Sequence, residues 1–313
     1  MKIGISSCLL GNKVRYDGQH KLDRFLRDEL GDFVDWVPLC PEMECGLPVP
    51  REAMRLVGDD PESPRLMTNK TFQDKTGQME SYISEKLEEL EREGLRGFIF
   101  KAKSPTSGMR GVKIYTEAGM PSRRGSGIFA REFMKRFPNI PVEDEGRLHD
   151  PGIRENFIEK IYVYDRWLNY LNEDKSISGL MKFHAQHKYL MMSHSPAMLK
   201  EVGKLVAATD KKNLDQKLKT YEEKLINILN LKTTVKKHVN VLQHIMGYFK
   251  KQLNPDEKQE LLDIIDKYHR ELIPIVVPLV LLQHYARKYK ETYLLEQWYL
   301  HPHPDELKLR NHV

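Results

Sequence analysis

The spacing of apolar residues divides the chain near residue 150. In the first half, Lys2-Ile3-Gly4-Ile5-Ser6, Phe33 to Leu39, Gly97 to Lys101 and Gly111 to Tyr115 are short apolar or alternating runs that predict strands. Helical periodicity fills the gaps: around Lys21 to Leu30, from Thr76 to Glu93 with Met79, Ile83, Leu87 and Leu90 on one face, and from Gly127 to Phe137. Strands alternating with helices predict an α/β domain over residues 1–150, with a mostly parallel sheet, flanking helices and a site at the carboxyl ends of the strands.

After a polar, proline-bounded stretch from Pro141 to Pro151 the strand signal fades. Segments of 3.6-residue period follow over Asn156 to Leu171, Ser176 to Met192, Pro196 to Ala208, Leu214 to Leu229, Thr233 to Leu253, Pro255 to Arg270 and Pro274 to Tyr289. Residues 151–313 are therefore expected to form an all-α domain. The longest apolar run, Leu272 to Leu282, is broken by Pro274 and Pro278, so no membrane span is expected. The N-terminus lacks an apolar signal-peptide core, which makes the cytoplasm the expected location.

Charge and cysteine change the picture. Residues 1–150 carry 24 Lys and Arg against 25 Asp and Glu, whereas residues 151–313 carry 26 against 20, so the basic surplus belongs to the helical half. Such a surplus suits a polyanion partner such as RNA. The chain has 3 cysteines, Cys8, Cys40 and Cys45, all near the N-terminus. An odd, clustered set argues for metal or nucleophile chemistry over a disulfide framework. Cys8 follows the first expected strand and Cys40 the second, with Cys45 in a loop bounded by Pro41, Pro48 and Pro50. Three thiolates suit an iron-sulfur cluster with one open iron better than a tetrahedral zinc, which wants a fourth ligand. The plain alternative is three small buried hydrophobes.

Ser7-Cys8-Leu9-Leu10-Gly11, Arg15-Tyr16-Asp17-Gly18, Cys40-Pro41-Glu42, Pro50-Arg51-Glu52 and Lys103-Ser104-Pro105-Thr106-Ser107-Gly108 resemble the TudS-type thiouracil desulfidases. Phe183-His184-Ala185-Gln186-His187-Lys188-Tyr189, His194-Ser195-Pro196, Gly247-Tyr248-Phe249-Lys250 and Tyr299 to Asn311 are similar to the YbgA-type domain often fused to them. The resemblance implies a [4Fe-4S] cluster on three cysteines, whose open iron takes sulfur from a thiolated uracil base, and a fusion acting on 4-thiouridine in tRNA. It makes Glu42 the acid/base and Ser104 a substrate contact, with Arg15, Tyr16 and Asp17 placed to hold the base. One position departs: the family's loop cysteine is Ser107 here. The third ligand is then expected to have moved to Cys45, the alternative being that Cys8 and Cys40 stand alone.

In the helical half Lys182, His184, His187, Lys188 and Tyr189 mix cations with an aromatic, a pattern that contacts phosphates and stacks on bases. Without HExxH spacing, no metal is expected among the histidines there. The expected activity is removal of sulfur from 4-thiouridine in tRNA to give uridine. The alternatives are a desulfidase for free thiouracil with a dimerising helical domain, and a non-enzymatic iron-sulfur or zinc protein that senses redox state.

Overall fold

In the computed structural model the elements of the first half run β1 (Lys2–Ser6), β2 (Asp35–Leu39), α1 (Pro41–Glu44), β3 (Met54–Val57), β4 (Arg65–Thr68), α2 (Thr76–Glu93), β5 (Gly97–Phe100), β6 (Val112–Tyr115), β7 (Pro121–Gly125), α3 (Ile128–Arg136) and β8 (Val142–Asp144). The structure describes residues 1–312, apart from the side chains of Ser122 and Arg123. The chain divides into two units, the first Met1–Ile153 and the second starting at Arg154.

In the first unit β1 is buried from Ile3 to Ser6, as a strand covered on both faces should be. It lies at the centre of a parallel sheet ordered β2-β1-β5-β8. The expected parallel sheet with flanking helices is therefore present, with two differences. The strand at Val112–Tyr115 belongs to a second, mixed sheet ordered β4-β3-β6-β7, in which only β3 and β6 run parallel. The stretch expected to be a linker supplies β8, three residues too short to carry a period. The helix expected over Lys21 to Leu30 is reduced to turns at Phe25–Glu29 and Leu30–Asp32. Its first residues are drawn aside because the amides of Lys21 and Asp23 donate to the carbonyls of Cys8 and Leu9.

The core of this unit is a group of stacked and tilted rings, Phe98, Phe100, Phe129 and Phe133, contributed by β5 and α3, with centroids 4.3 to 6.3 Å apart. The ring of Phe98 lies so close to β1 that a Cβ on Gly4 would stand 2.2 Å from Phe98 Cδ2. Glycine is required there by space.

The second unit contains α4 (Pro151–Glu173), α5 (Ile177–Gln186), α6 (Lys188–His194), α7 (Pro196–Ala207), α8 (Leu214–Leu229), α9 (Val235–Met246), α10 (Pro255–His269), α11 (Val276–Lys288) and α12 (Thr292–Leu295). The helix expected over Ser176 to Met192 is broken at His187. The Nε of Arg166 donates to His187 Nε2 at 3.0 Å, leaving His187 Nδ1 to donate to the carbonyl of Phe183 at 2.7 Å. Among the described residues no helix is long and apolar enough to cross a membrane.

Gly4→Ala should destabilise the first unit by about 2 kcal/mol, the scale of overpacking a core. Hydrogen exchange of β1 and β5 peptides will show this as lost protection, and Phe98→Leu in the same chain should recover part of it.

Candidate active site

Three adjacent strands of the parallel sheet end on the same cavity. β1 leads into a 3₁₀ turn over Ser7–Leu10, β2 into Cys40, the N-cap of α1, and β5 into Lys101 and the loop Ser104 to Gly108. This is the carboxyl edge, where ligands of open α/β sheets bind. The cavity measures about 440 Å³ and is lined by Cys8, Cys40, Glu42, Arg51, Ser104 and Ser107, with Arg15, Tyr16 and Lys101 also contributing.

The loop from Ser104 to Gly108 is fixed by the start of α3. The first amides of a helix have no partner within it. Here Ile128 N–H donates to Pro105 O at 3.2 Å and Ala130 N–H to Thr106 O at 3.0 Å, while Gly127 N–H donates to Gly108 O at 2.7 Å. A Cβ at Gly127 would lie 2.4 Å from Thr106 O, so this docking also depends on glycine. Within the loop Ser104 Oγ accepts from the amides of Ser107 at 3.1 Å and Thr106 at 3.3 Å. It sits 2.9 Å from Thr106 Oγ1, which donates to Glu42 Oε1 at 2.7 Å. The other oxygen of Glu42 lies 3.5 Å from Cys40 Sγ and 3.9 Å from Arg51 Nη2. Loop, thiol and guanidinium thus hold one carboxylate at the cavity wall.

Glu44 is used differently. Its Oε1 accepts from the amide of Cys40 at 2.9 Å, and its Oε2 accepts from Tyr82 Oη at 2.9 Å and pairs with Lys86 at 3.2 Å. It stitches α1 to α2. Asp17 also differs from expectation: it pairs with Arg15 at 3.3 Å and accepts from the Gln19 amide at 3.1 Å, while only Arg15 and Tyr16 of that segment line the cavity. Its short side chain is satisfied locally.

Burial pushes the Cys8 thiol up to about 11 despite Lys101 nearby, and pushes Cys40 up to about 12, with the Glu42 carboxylate adding to the rise. Cys45 is raised by burial as well, but it does not line the cavity. It caps the C-terminal end of α1, donates to Glu42 O at 3.3 Å and packs against the apolar core. The expected convergence of three thiols is therefore corrected: the helical turn of α1 carries Cys45 away from Cys8 and Cys40. Among the described residues no three His, Cys, Asp or Glu side chains are grouped to hold a metal ion. The cavity offers two thiols and the hydroxyl of Ser107, a donor set that does not fit a cluster held by three thiolates.

A second cavity, about 480 Å³, shares Met54, Lys103 and Pro105 with the first. Its walls carry four cations, Arg55, Lys103, Lys113 and Arg124, and no carboxylate. The guanidinium of Arg55 lies over the rings of Tyr115 and Phe72 at 5.3 and 5.8 Å. These residues, together with Arg51, Lys101 and Thr106, had no assigned role in the sequence. The cations come from β3, β6, β7 and one loop, so only the fold brings them together.

Residues 3–145 match the family described as 2-thiouracil desulfurase, and residues 188–304 match a protein family of unknown function, DUF1722. The uncharacterized protein YbgA of Escherichia coli (strain K12) is 30% identical over 134 residues, covering 42% of this chain and 79% of that protein. The chain belongs to the YbgA family. Its YbgA-type part is fused to a TudS-like domain. A solved structure titled as the [4Fe-4S]-dependent thiouracil desulfidase TudS is 28% identical, with a TM-score of 0.38, over 48% of this chain and 93% of that one.

In the YbgA-type unit the residues expected to meet RNA are mostly interior. His187 is 1% exposed and Tyr189 2%. His184 Nδ1 lies 3.2 Å from Tyr221 Oη, and burial lowers this histidine to about 4. Of the five, Lys182 is exposed and Lys188 is half-buried, its Nζ 5.5 Å from the centroid of the Tyr189 ring. Of the five residues expected to form that face, the two lysines keep solvent contact, whereas His184, His187 and Tyr189 contact Tyr221, the Phe183 carbonyl and Tyr248. His238 is likewise lowered to about 3 and His303 to about 4 by burial. Such groups stay neutral in the folded unit but take protons in the unfolded chain from their ordinary value of 6.5 downward. Stability should be full above pH 6.5 and fall as pH drops toward 4. Circular dichroism melts across that range will show a declining midpoint for the helical unit.

Proposed function

We propose that this chain is a desulfidase that exchanges the sulfur of a thiolated uracil for oxygen in a phosphate-bearing substrate, 4-thiouridine in tRNA, leaving uridine. The family match supports desulfuration of a thiolated uracil. The observation that favours a nucleic acid over the free base is the cationic cavity adjoining the thiol-lined one. Four cations with no carboxylate among them are costly to hold together unless an anion neutralises them. Phosphates beside a bound nucleoside supply that anion, whereas free thiouracil leaves the second cavity empty of charge. In this reading the grip on substrate lies in the cationic cavity beside the thiol-lined one.

The reaction balances as a hydrolysis. Water attacks the ring carbon of the thiocarbonyl, the C–S bond breaks, and sulfide leaves as a new C=O forms. Glu42 takes the proton from water, and its geometry is set by the Thr106 hydroxyl on one oxygen and by Arg51 near the other. Arg51 Nη1 is itself anchored on Val14 O at 3.1 Å, so its position does not depend on substrate. Arg15 and Tyr16 at the wall, with the Arg15 guanidinium 5.5 Å from the Tyr16 ring centroid, offer a flat surface to the pyrimidine. Cys8 and Cys40 are the two thiols that would take part in holding an iron-sulfur group, and the proton transfer assigned to Glu42 does not depend on it.

Glu42→Gln should lower turnover by about a hundredfold or more while leaving iron content unchanged, the usual scale for a general base. Lys113→Glu with Arg124→Glu should reduce kcat/KM on tRNA by about tenfold or more and flatten its salt dependence, without changing turnover of free 4-thiouracil. Equal losses on both substrates would return the assignment to the free base.

A further inference from the structure

We propose that Phe72, held out on the turn after β4, is a stacking platform for an unpaired nucleobase of the nucleic-acid substrate, beside the cationic cavity that takes its phosphates. Resting on the functional reading above, this assigns a grip on a base other than the reacting one, because Phe72 does not line the thiol-lined cavity.

The backbone of Phe72 has a φ of 53°, in the left-handed region that sterics deny to bulky side chains and leave mainly to Gly and Asn. The residue is nevertheless 62% exposed. The fold thus holds a large apolar ring in solvent at a conformational cost, the kind of outlier that collects where ligands are gripped. The turn around it is firmly closed. Thr68 N–H donates to Gln73 O at 3.0 Å, Gln73 N–H to Thr68 Oγ1 at 2.8 Å, and Asn69 N–H to Ala53 O at 2.9 Å. Glu52 clamps the outside: its Oε1 accepts from the amides of Lys70 and of Thr71, the latter at 2.9 Å, and its Oε2 accepts from Thr71 Oγ1 at 2.7 Å. The Pro50-Arg51-Glu52 segment therefore serves both places, Arg51 facing Glu42 and Glu52 holding the Phe72 turn.

The ring stands next to cations. The Arg55 guanidinium lies 5.8 Å from its centroid, and Arg55 and Asn69, the latter from the same turn, line the cationic cavity with Lys103, Lys113 and Arg124. Cations that follow a phosphate backbone beside an exposed aromatic are the means by which proteins hold single strands, since every base has a face to stack. An apolar protein partner would need a wider apolar surface, whereas the chain neighbours of Phe72 from Asn69 to Asp74 are polar.

The probe is a single-stranded oligouridylate of about ten nucleotides, within the site sizes of single-strand binders, carrying one 2-aminopurine whose fluorescence falls on stacking. Titrated against the full chain, it needs neither iron nor a thiolated base. The wild type should bind it and quench the fluorescence. Phe72→Gly, which suits the left-handed backbone, should keep or raise the melting temperature while weakening binding about tenfold and removing the quench. Phe72→Trp should bind and quench like the wild type. Glu52→Ala should speed hydrogen exchange at Lys70 and Thr71 and weaken binding in the same direction. Equal binding and quenching by Phe72→Gly and the wild type overturns the proposal, as does a wild type that neither binds nor quenches. Sulfide release from thiolated tRNA by Phe72→Gly at the wild-type KM overturns the platform alone and leaves the activity standing. Quenching by a wild type that releases no sulfide overturns the desulfidase reading and leaves the platform standing.

Discussion

The site depends on the way the start of α3 receives the loop from Ser104 to Gly108. A helix must find partners for its first amides, and here those partners are the carbonyls of Pro105 and Thr106. Once the loop is seated, Ser104 can satisfy the amides of Thr106 and Ser107, and Thr106 is left with one direction for its hydroxyl, toward Glu42. The carboxylate is therefore positioned by a strand end, a helix cap and a loop from three separate parts of the chain. Because Gly127 tolerates no Cβ against Thr106 O, a small steric requirement at the start of α3 reaches the Glu42 carboxylate through two hydrogen bonds.

A second constraint is electrostatic. Burial raises both thiols of the cavity, which also contains the Glu42 carboxylate and the Arg51 guanidinium. Next to it the chain concentrates cations without acids. A neutral base beside a phosphate would meet both environments in one binding event: the thiol-lined cavity for the thiocarbonyl and the charged one for the backbone. The net charge of the first half, which is close to balanced, conceals this segregation.

The division into an α/β half and a helical half was legible because apolar periods of two and of 3.6 residues are carried by long segments. α2 follows its expected limits, Thr76 to Glu93, since its apolar face recurs without interruption. β8 and the second sheet were not legible, because three- and four-residue strands such as Val142–Asp144 and Met54–Val57 carry too few alternations. That Cys8, Cys40, Glu42 and Ser104 share one cavity was legible from motif and strand-end position. The place of Cys45 was not, because loop and helix look alike over four residues, and Cys45, the C-cap of the short α1, packs against the core. The histidines of the helical unit were misplaced for a related reason: His187 breaks the helix by accepting from Arg166, and no local pattern announces a partner 21 residues away.

Hydrolysis of a thiocarbonyl in this cavity is the step on which the proposed function stands. The most direct measurement is turnover of 4-thiouridine tRNA by the anaerobically reconstituted protein in water enriched in oxygen-18, with sulfide and the mass of the released nucleoside read together. Sulfide and uridine in equal amounts, with solvent oxygen at the former sulfur position, is the predicted result. Binding of the tRNA with neither sulfide nor labelled uridine would contradict it.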